Sequence, residues 1–426
     1  MNIPDGGRPE FNIVTCQMDD TDILARCLQG EVVIVRNLLD KIGWQQRFNS
    51  LVTRAVAQQV NKSAAAEVAR NGFELMHRSV ETDRAQNIVK ALERKLARLS
   101  PSIHYSLLSS GILGNQPLWF LSRPIVRIHY PFDETWHYRK SLQKFKSTYG
   151  VGRMTPLRPH RDSWFSEPAE CINIWISITP VGQGNSMCFF PDSYGLEMPF
   201  TPSQGIRRTQ QVGKAVSIEL SAGDALFMHA EHLHASELNS TDSTRLTLSL
   251  RVSTVSPKQT SKQPHRYARV NPAYPWTVLF LHAYWGYLTR KIESLRSKAF
   301  GARKPIRLAS GNSSADSCVD PIITDHTGKL ALSELEVNIP RLLSDKRCVV
   351  RLSDDSVLTF DRRCPHQGAD LSLSNIAGQK LRCPWHNLEF DLRSGKSPCQ
   401  SLRGINVRQC ETVGDNIELS TLEPGG

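Results

Sequence analysis

Residues 363–386 read RCPHQGADLSLSNIAGQKLRCPWH. Cys364 and His366 form a C-x-H pair, Cys383 and His386 a C-x-x-H pair, and sixteen residues separate the two. Four metal-binding side chains in two short turns constrain the surrounding chain to present two loops face to face. Two thiolates and two imidazoles can bind zinc. Zinc fingers, however, place both cysteines first and both histidines last, whereas each half here mixes one of each beside Pro and Gly turn residues. That mixture also suits two irons with unlike ligands, one held by sulfur and one by nitrogen.

The flanks CPHQGADL and CPWHNLEFDLRSGK resemble the two cluster-binding loops of Rieske ferredoxins and Rieske oxygenase domains. The resemblance runs over roughly residues 318–422 and implies a [2Fe-2S] cluster on Cys364, His366, Cys383 and His386. One departure stands out: the residue after the second histidine, usually glycine, is Asn387, which implies altered hydrogen bonding around the cluster.

A second metal motif lies two hundred residues earlier. LRPHRDSWF (157–165) sets His160 and Asp162 two apart, on one side of an extended strand. Iron in a 2-His-1-carboxylate site needs such a pair and one distant histidine, with positions left open. Downstream, GDALFMHAEHLHASELNSTDSTRLTLSLR (223–251) offers His229, His232 and His234, and then an alternating strand opened by Arg245. From His234 the run H-x-S-x-x-N resembles the second metal motif of phytanoyl-CoA-hydroxylase-like, 2-oxoglutarate-dependent oxygenases. The resemblance implies Fe(II) on His160, Asp162 and His234, with Arg245 holding the far carboxylate of 2-oxoglutarate. A planar guanidinium suits that bidentate task. Ser236 and Asn239 are candidate cosubstrate contacts or turn residues, and His229 and His232 are alternative ligands. In the same family halogenating members replace the carboxylate ligand, so Asp162 implies hydroxylation or a related oxidation.

Residues 170–195, ECINIWISITPVGQGNSMCFFPDSYG, show two strand-patterned runs around a Gly-rich turn. PIVRIHY (124–130) is a further strand whose Arg127 and His129 face either the pocket or the barrel wall. Apolar spacing over 85–99 predicts a helix with the stripe Ile88, Leu92, Leu96 and Leu99. The expected fold is mainly β with helices: a double-stranded β-helix (jelly-roll) oxygenase domain over 1–255 and a small antiparallel-β Rieske domain over 318–426. No long apolar run predicts a membrane span, and ten cysteines without framework spacing predict a reducing cytoplasm.

Between the domains, residues 256–310 hold eleven Lys or Arg and one acid, Glu293. Almost all of the chain's formal charge of +11 sits there, which predicts a local anionic partner. PWTVLFLHAYWGYLTRKIESLRSKAF (275–300) reads as an aromatic, then basic, amphipathic helix. It either docks on the barrel or, over 275–307, lies at the inner face of a membrane. No nucleic-acid-reading motif is present. Residues 311–317 read as a linker, so 256–317 is expected to be a connector.

These parts predict an Fe(II)/2-oxoglutarate dioxygenase with a fused electron carrier that needs an external reductase. The cluster either re-reduces ferric iron, feeds the iron in every turnover as in Rieske-type oxygenases, or serves as a docking or redox-sensing module. A non-enzymatic membrane electron carrier is disfavoured by the intact triad and Arg245. PHRDSWF, INIWISITPV and NSMCFFPDSY bear a weaker similarity to hydroxylases acting on Kdo, the acidic sugar of lipopolysaccharide. They imply an anionic sugar or glycolipid substrate, with an acidic natural-product intermediate as the alternative.

Overall fold

The computed structural model describes residues 12–16, 22–150, 152–165, 167–201, 205–207, 210–257, 267–272 and 329–418. The amphipathic segment 275–300 and most of the basic connector lie outside the described residues. No helix among the described residues is long and apolar enough to cross a membrane.

The N-terminal domain carries strands β1 (Ile13–Cys16), β2 (Val32–Val35), β3 (Leu118–Leu121), β4 (Ile125–His129), β5 (Cys171–Ser177), β6 (Met187–Phe189), β7 (Phe200–Thr201), β8 (Gly205–Ile206), β9 (Val216–Ser217), β10 (Ala225–His229), β11 (His234–Ser236), β12 (Arg245–Ser253) and β13 (Tyr267–Val270). The major sheet runs β1-β2-β10-β5-β12-β3-β13, with β4 also pairing β12; the minor sheet runs β11-β6-β9. Together they form the expected jelly roll. The sheet extends past residue 255, because Tyr267–Val270 pairs antiparallel with β3.

Period-two patterning decides which face does what. On β12, Leu246, Leu248, Leu250 and Val252 share a core with Ile172, Ile174 and Ile176 of β5 and with the helices. The opposite face carries Arg245, Thr247, Ser249 and Arg251, all buried. Register aligns Arg245 with His129, Thr247 with Arg127, Ser249 with Trp175 and Arg251 with Asn173. A buried polar face inside a barrel is where chemistry is to be sought.

Helix α1 (Ile23–Leu28) lies between β1 and β2; α2 (Leu38–Lys41), α3 (Gln45–Gln59), α4 (Lys62–Asn71) and α5 (Thr82–Ser109) lie between β2 and β3; α6 (Phe132–Thr135) and α7 (Arg139–Tyr149) follow β4. Ile88, Leu92 and Leu96 of α5 are fully buried, as the stripe predicts, each contributing roughly 1.5–3 kcal/mol, while Leu99 is only partly buried. The helix continues through Pro101, which removes a backbone donor. Ser100 Oγ donates to Ala97 O at 3.2 Å and so occupies the carbonyl that Pro101 cannot serve. Glu93, also buried, pins α5 to the barrel by accepting from Arg153 Nε at 3.0 Å and Val126 N at 3.2 Å.

The C-terminal domain is built from short antiparallel sheets. Strands β14 (Lys329–Ala331), β15 (Arg341–Leu342), β16 (Arg347–Arg351) and β17 (Val357–Asp361) precede the first cluster loop. After it come β18 (Asn375–Ala377), β19 (Lys380–Arg382), β20 (Glu389–Asp391), β21 (Val407–Gln409), β22 (Glu411–Val413) and β23 (Asn416–Glu418). The sheets run β15-β16-β17-β21, β18-β19-β20 and β14-β23-β22. The two domains share one apolar cluster that includes Cys188, Phe190, Leu233 and Leu238 on one side and Cys364, Trp385 and Leu402 on the other. The Rieske loops therefore dock against the minor sheet of the barrel.

Candidate active site: an iron triad beside a cluster-binding fold

His160 and His234 face each other across an isolated bridge, His160 N donating to His234 O at 2.9 Å and His234 N to His160 O at 3.0 Å. Asp162 opens a 3-10 turn, Asp162–Trp164, instead of continuing an extended strand. The turn still brings its carboxylate to the histidines, and the candidate ligand atoms of all three lie within 4.8 Å of one another. His229 and His232 do not join them. His232 stacks on Tyr194 at 4.3 Å, and His229 Nδ1 lies 3.4 Å from Tyr194 Oη.

Each triad histidine is fixed through one ring nitrogen. His160 Nδ1 contacts Arg158 O at 2.7 Å and His234 Nδ1 contacts His232 O at 2.9 Å. A carbonyl only accepts, so Nδ1 carries the proton and Nε2 keeps its lone pair for a metal. Burial, then His234, pushes His160 down to about 3; burial likewise lowers His234. Both rings are thus neutral, as ligands must be. Burial pushes the Asp162 carboxyl up, yet Arg251, His234 and His160 outweigh it and hold it well below the usual carboxylate range. Arg251 Nη2 donates to Asp162 Oδ1 at 2.9 Å, and Asn173 Nδ2 to Asp162 Oδ2 at 3.1 Å. Arg251 also pairs with Glu167 at 3.4 Å. Sequence reasoning passed over Arg251 and Asn173; their alternation with Arg245 and Trp175 was the available signal.

Arg245 is 1% exposed and, among the described residues, forms no ion pair. Its Nη1 donates to Asn185 O at 3.0 Å and Ser186 O at 2.7 Å, and its Nε has no partner. Burial pulls its pKa down to about 10, so it remains a cation. His129 Nε2 contacts Gly152 O at 3.1 Å and so donates, leaving Nδ1 to accept from Arg245 Nη2 at 2.5 Å. His129 thereby backs Arg245. Arg127 lines the same narrow cavity as His160, His234, Ser236 and Arg245. Thr247 Oγ1, Ser249 Oγ and Asn173 Oδ1 are also buried without partners. The unmet Thr247 and Ser249 hydroxyls and Arg245 Nε are donors, and donors around a buried guanidinium fit a small dicarboxylate. Asn239 sits elsewhere: its amide donates to His129 O at 2.9 Å and Ser243 O at 2.7 Å, which organises the turn into β12.

In the C-terminal domain the two ligand loops share one construction. Gly368 N returns to Cys364 O at 2.8 Å, and Asn387 N to Cys383 O at 3.1 Å. Four residues beyond each cysteine the backbone turns left-handed, at Gly368 (φ 77) and Asn387 (φ 52). Asn tolerates that conformation better than most side chains. Cys364 and Cys383 are buried side by side and free, and the His366 and His386 rings lie 4.6 Å apart. His366 Nδ1 and both nitrogens of His386 are buried without partners. A cysteine pair opposite a histidine pair with free nitrogens fits a [2Fe-2S] cluster.

Both histidines face the barrel. The His366 ring lies 5.9 Å from Phe132, and Arg158 packs over Trp385 at 4.7 Å. Asn387 Nδ2 crosses the seam to Glu237 Oε1 at 2.9 Å and Ser217 Oγ at 3.0 Å. Asp133 caps the other side, accepting from Gln400 N at 3.0 Å and Ser401 N at 2.7 Å. The departure at Asn387 is therefore a link between domains.

Such a site has the donor set of a non-haem iron centre beside that of an iron–sulfur cluster. Residues 126–247 match the phytanoyl-CoA dioxygenase (PhyH) family, and residues 330–404 match the Rieske [2Fe-2S] domain. The chain thus carries a PhyH domain and a Rieske domain. The curated methylxanthine N1-demethylase NdmA of Pseudomonas putida is 39% identical over 51 residues, covering 12% of this chain and 14% of that protein. Only a seventh of that relative's length is therefore spanned. Among solved structures, the non-haem alpha-ketoglutarate-dependent epimerase SnoN is 19% identical, with 59% of this chain and 94% of that chain covered and a TM-score of 0.32. The carbocyclase SnoK is 14% identical, covering 60% and 99%, with a TM-score of 0.33. The Sphingomonas yanoikuyae B1 ferredoxin is 22% identical, covering 20% and 89%, with a TM-score of 0.19.

Proposed function

We propose that this chain is a non-haem Fe(II)/2-oxoglutarate-dependent dioxygenase that hydroxylates its substrate, its Rieske domain keeping the catalytic iron reduced. The observation that carries this is the buried His160–Asp162–His234 triad opening onto Arg245, a buried cation without a carboxylate partner among the described residues. Iron bound there supplies oxidation with dioxygen and 2-oxoglutarate, and the cluster supplies single electrons. The chain's own groups do the positioning. Arg251 and Asn173 fix the Asp162 oxygens, and the carbonyls of Arg158 and His232 fix the histidine tautomers. Arg245, backed by His129, receives the far carboxylate of the cosubstrate, while Trp175 and Met187 exclude water.

A second reading, in which the cluster feeds the iron at every turnover, is favoured by the inward-facing cluster histidines. For the substrate we infer an anionic sugar or glycolipid of the lipopolysaccharide Kdo type; the concentrated positive charge of residues 256–310 supports it. The alternative is an acidic natural-product intermediate. Residues 275–307 would then meet an anionic membrane surface at the cytoplasmic face, and an external reductase would supply electrons.

The test is succinate release from 2-oxoglutarate by anaerobically purified, iron-loaded protein on exposure to oxygen. Succinate that disappears in Arg245→Ala supports the reading. No succinate from intact protein, with candidate glycolipid present, overturns it in favour of cluster-fed catalysis.

A further inference from the structure

In the seam between the domains Arg158 contacts a candidate iron ligand and the chain neighbours of two candidate cluster ligands. Arg158 accepts His160 Nδ1 on its backbone carbonyl at 2.7 Å. Its side chain turns the other way, Nε donating to Gln367 Oε1 at 2.8 Å, and its guanidinium lies over the Trp385 ring at 4.7 Å. Gln367 directly follows His366 in the chain. Trp385 precedes His386. A candidate iron ligand and a candidate cluster ligand are thus joined by a continuous run: the His160 imidazole, the Arg158 carbonyl and side chain, the Gln367 side chain, and through its backbone the adjoining His366. The other polar anchors of the seam, Asn387 with Glu237 and Asp133 with residues 400–401, contact neither His160 nor His366.

We propose that Arg158 and Gln367 are positioning residues that couple the two ligand sets, forming the intrachain route by which the Rieske cluster reduces the oxygenase iron. This rests on the reading of the Rieske domain as the reductant of that iron. The step is a single electron transfer: the reduced cluster returns to its oxidised state, Fe(III) becomes Fe(II), and no bond forms or breaks. An external one-electron donor of the flavin-reductase class restores the cluster. Hydrogen bonds and covalent links carry electronic coupling far better than a van der Waals gap. Arg158 also holds both cluster loops, so the coupling and the docking geometry depend on the same side chain. A lysine at 158 keeps the charge but loses the planar fork that serves Gln367 and the indole together.

The experiment uses the full chain, loaded with cluster and with ferric iron plus azide, under anaerobic conditions. A flash-generated deazaflavin semiquinone reduces the cluster. Recovery of the cluster's visible absorbance, with matching loss of the ferric–azide band, reads the transfer without turnover. Wild-type protein should recover by a first-order process independent of protein concentration. Gln367→Leu and Arg158→Lys should slow recovery at least tenfold, with iron and cluster content unchanged. Asp133→Asn, which loosens the seam away from the bridge, should stay within twofold of wild type. Recovery in wild type that neither bridge variant slows overturns the assignment of these residues and leaves the reductant role standing. An equal slowing in Asp133→Asn overturns it too, because docking alone would then set the rate. No recovery in wild type sinks the reductant role, and this route with it.

Discussion

Asn387 offers a sharp test of how the domains are held together. Its Nδ2 donates to Glu237 Oε1 at 2.9 Å and to Ser217 Oγ at 3.0 Å. A hydrogen bond to a charged acceptor contributes about 1.5–3 kcal/mol and a neutral one about 0.5–1.5 kcal/mol. Asn387→Gly removes both but leaves Glu237 bonded to Gly184 N at 2.7 Å, Ser186 N at 3.2 Å and the Ser217 hydroxyl, so no orphaned charge results. Glycine also adopts the φ of 52° without strain, which offsets part of the loss. The net expectation is a seam weakened by about 2 kcal/mol, a factor of about thirty in its opening equilibrium. Asn387→Ala should cost about 1 kcal/mol more, because it loses the same bonds and meets the left-handed backbone with a Cβ. Amide hydrogen exchange at Gly184, Ser186 and the 383–388 loop reads this opening directly. Exchange in the glycine variant no faster than wild type would refute the claim that Asn387 ties the domains together.

In His160→Ala or Asp162→Ala, oxidation and iron binding at the triad should be lost while the Rieske absorption persists; loss of both signals would mean that the sites are not separate. Cys364→Ser should remove the cluster signal yet leave the first turnovers intact, with activity fading unless ascorbate is supplied. Loss of the first turnover in a folded variant would rule out a rescue role. Acid should destabilise the protein before its carboxylates titrate. His104 and His232 are buried neutral with pKa values near 3 against 6.5 in the open chain, chiefly through burial. Between those values the unfolded chain binds protons that the folded one does not, so stability falls as pH drops from about 6.5 toward 4. Urea midpoints measured across that range should decline, and less steeply in His104→Phe.

The sequence determined the chemistry that local spacing can encode. C-x-H and C-x-x-H had to form two facing turns, and H-x-D had to place two ligands a short reach apart. Alternation along RLTLSLR set a buried polar face against a buried apolar one. Pattern alone left other things open, because they depend on which distant elements meet. Three histidines fall within six residues; the motif resemblance favoured His234, and the bridge between residues 160 and 234 is what sets it against His160. Arg127 and His129 read from sequence chiefly as barrel residues; pairing with β12 sets them opposite Thr247 and Arg245, and Arg127 lines the cavity. Asn239 belongs to the motif but is committed to a turn, whereas Arg251, six residues beyond Arg245, holds the metal carboxylate. The domain seam was the least legible of all. Asn387 meeting Glu237, and Gln367 meeting Arg158, are contacts 150 and 209 residues apart along the chain. No periodicity spans such separations; only the docking of two finished folds creates them.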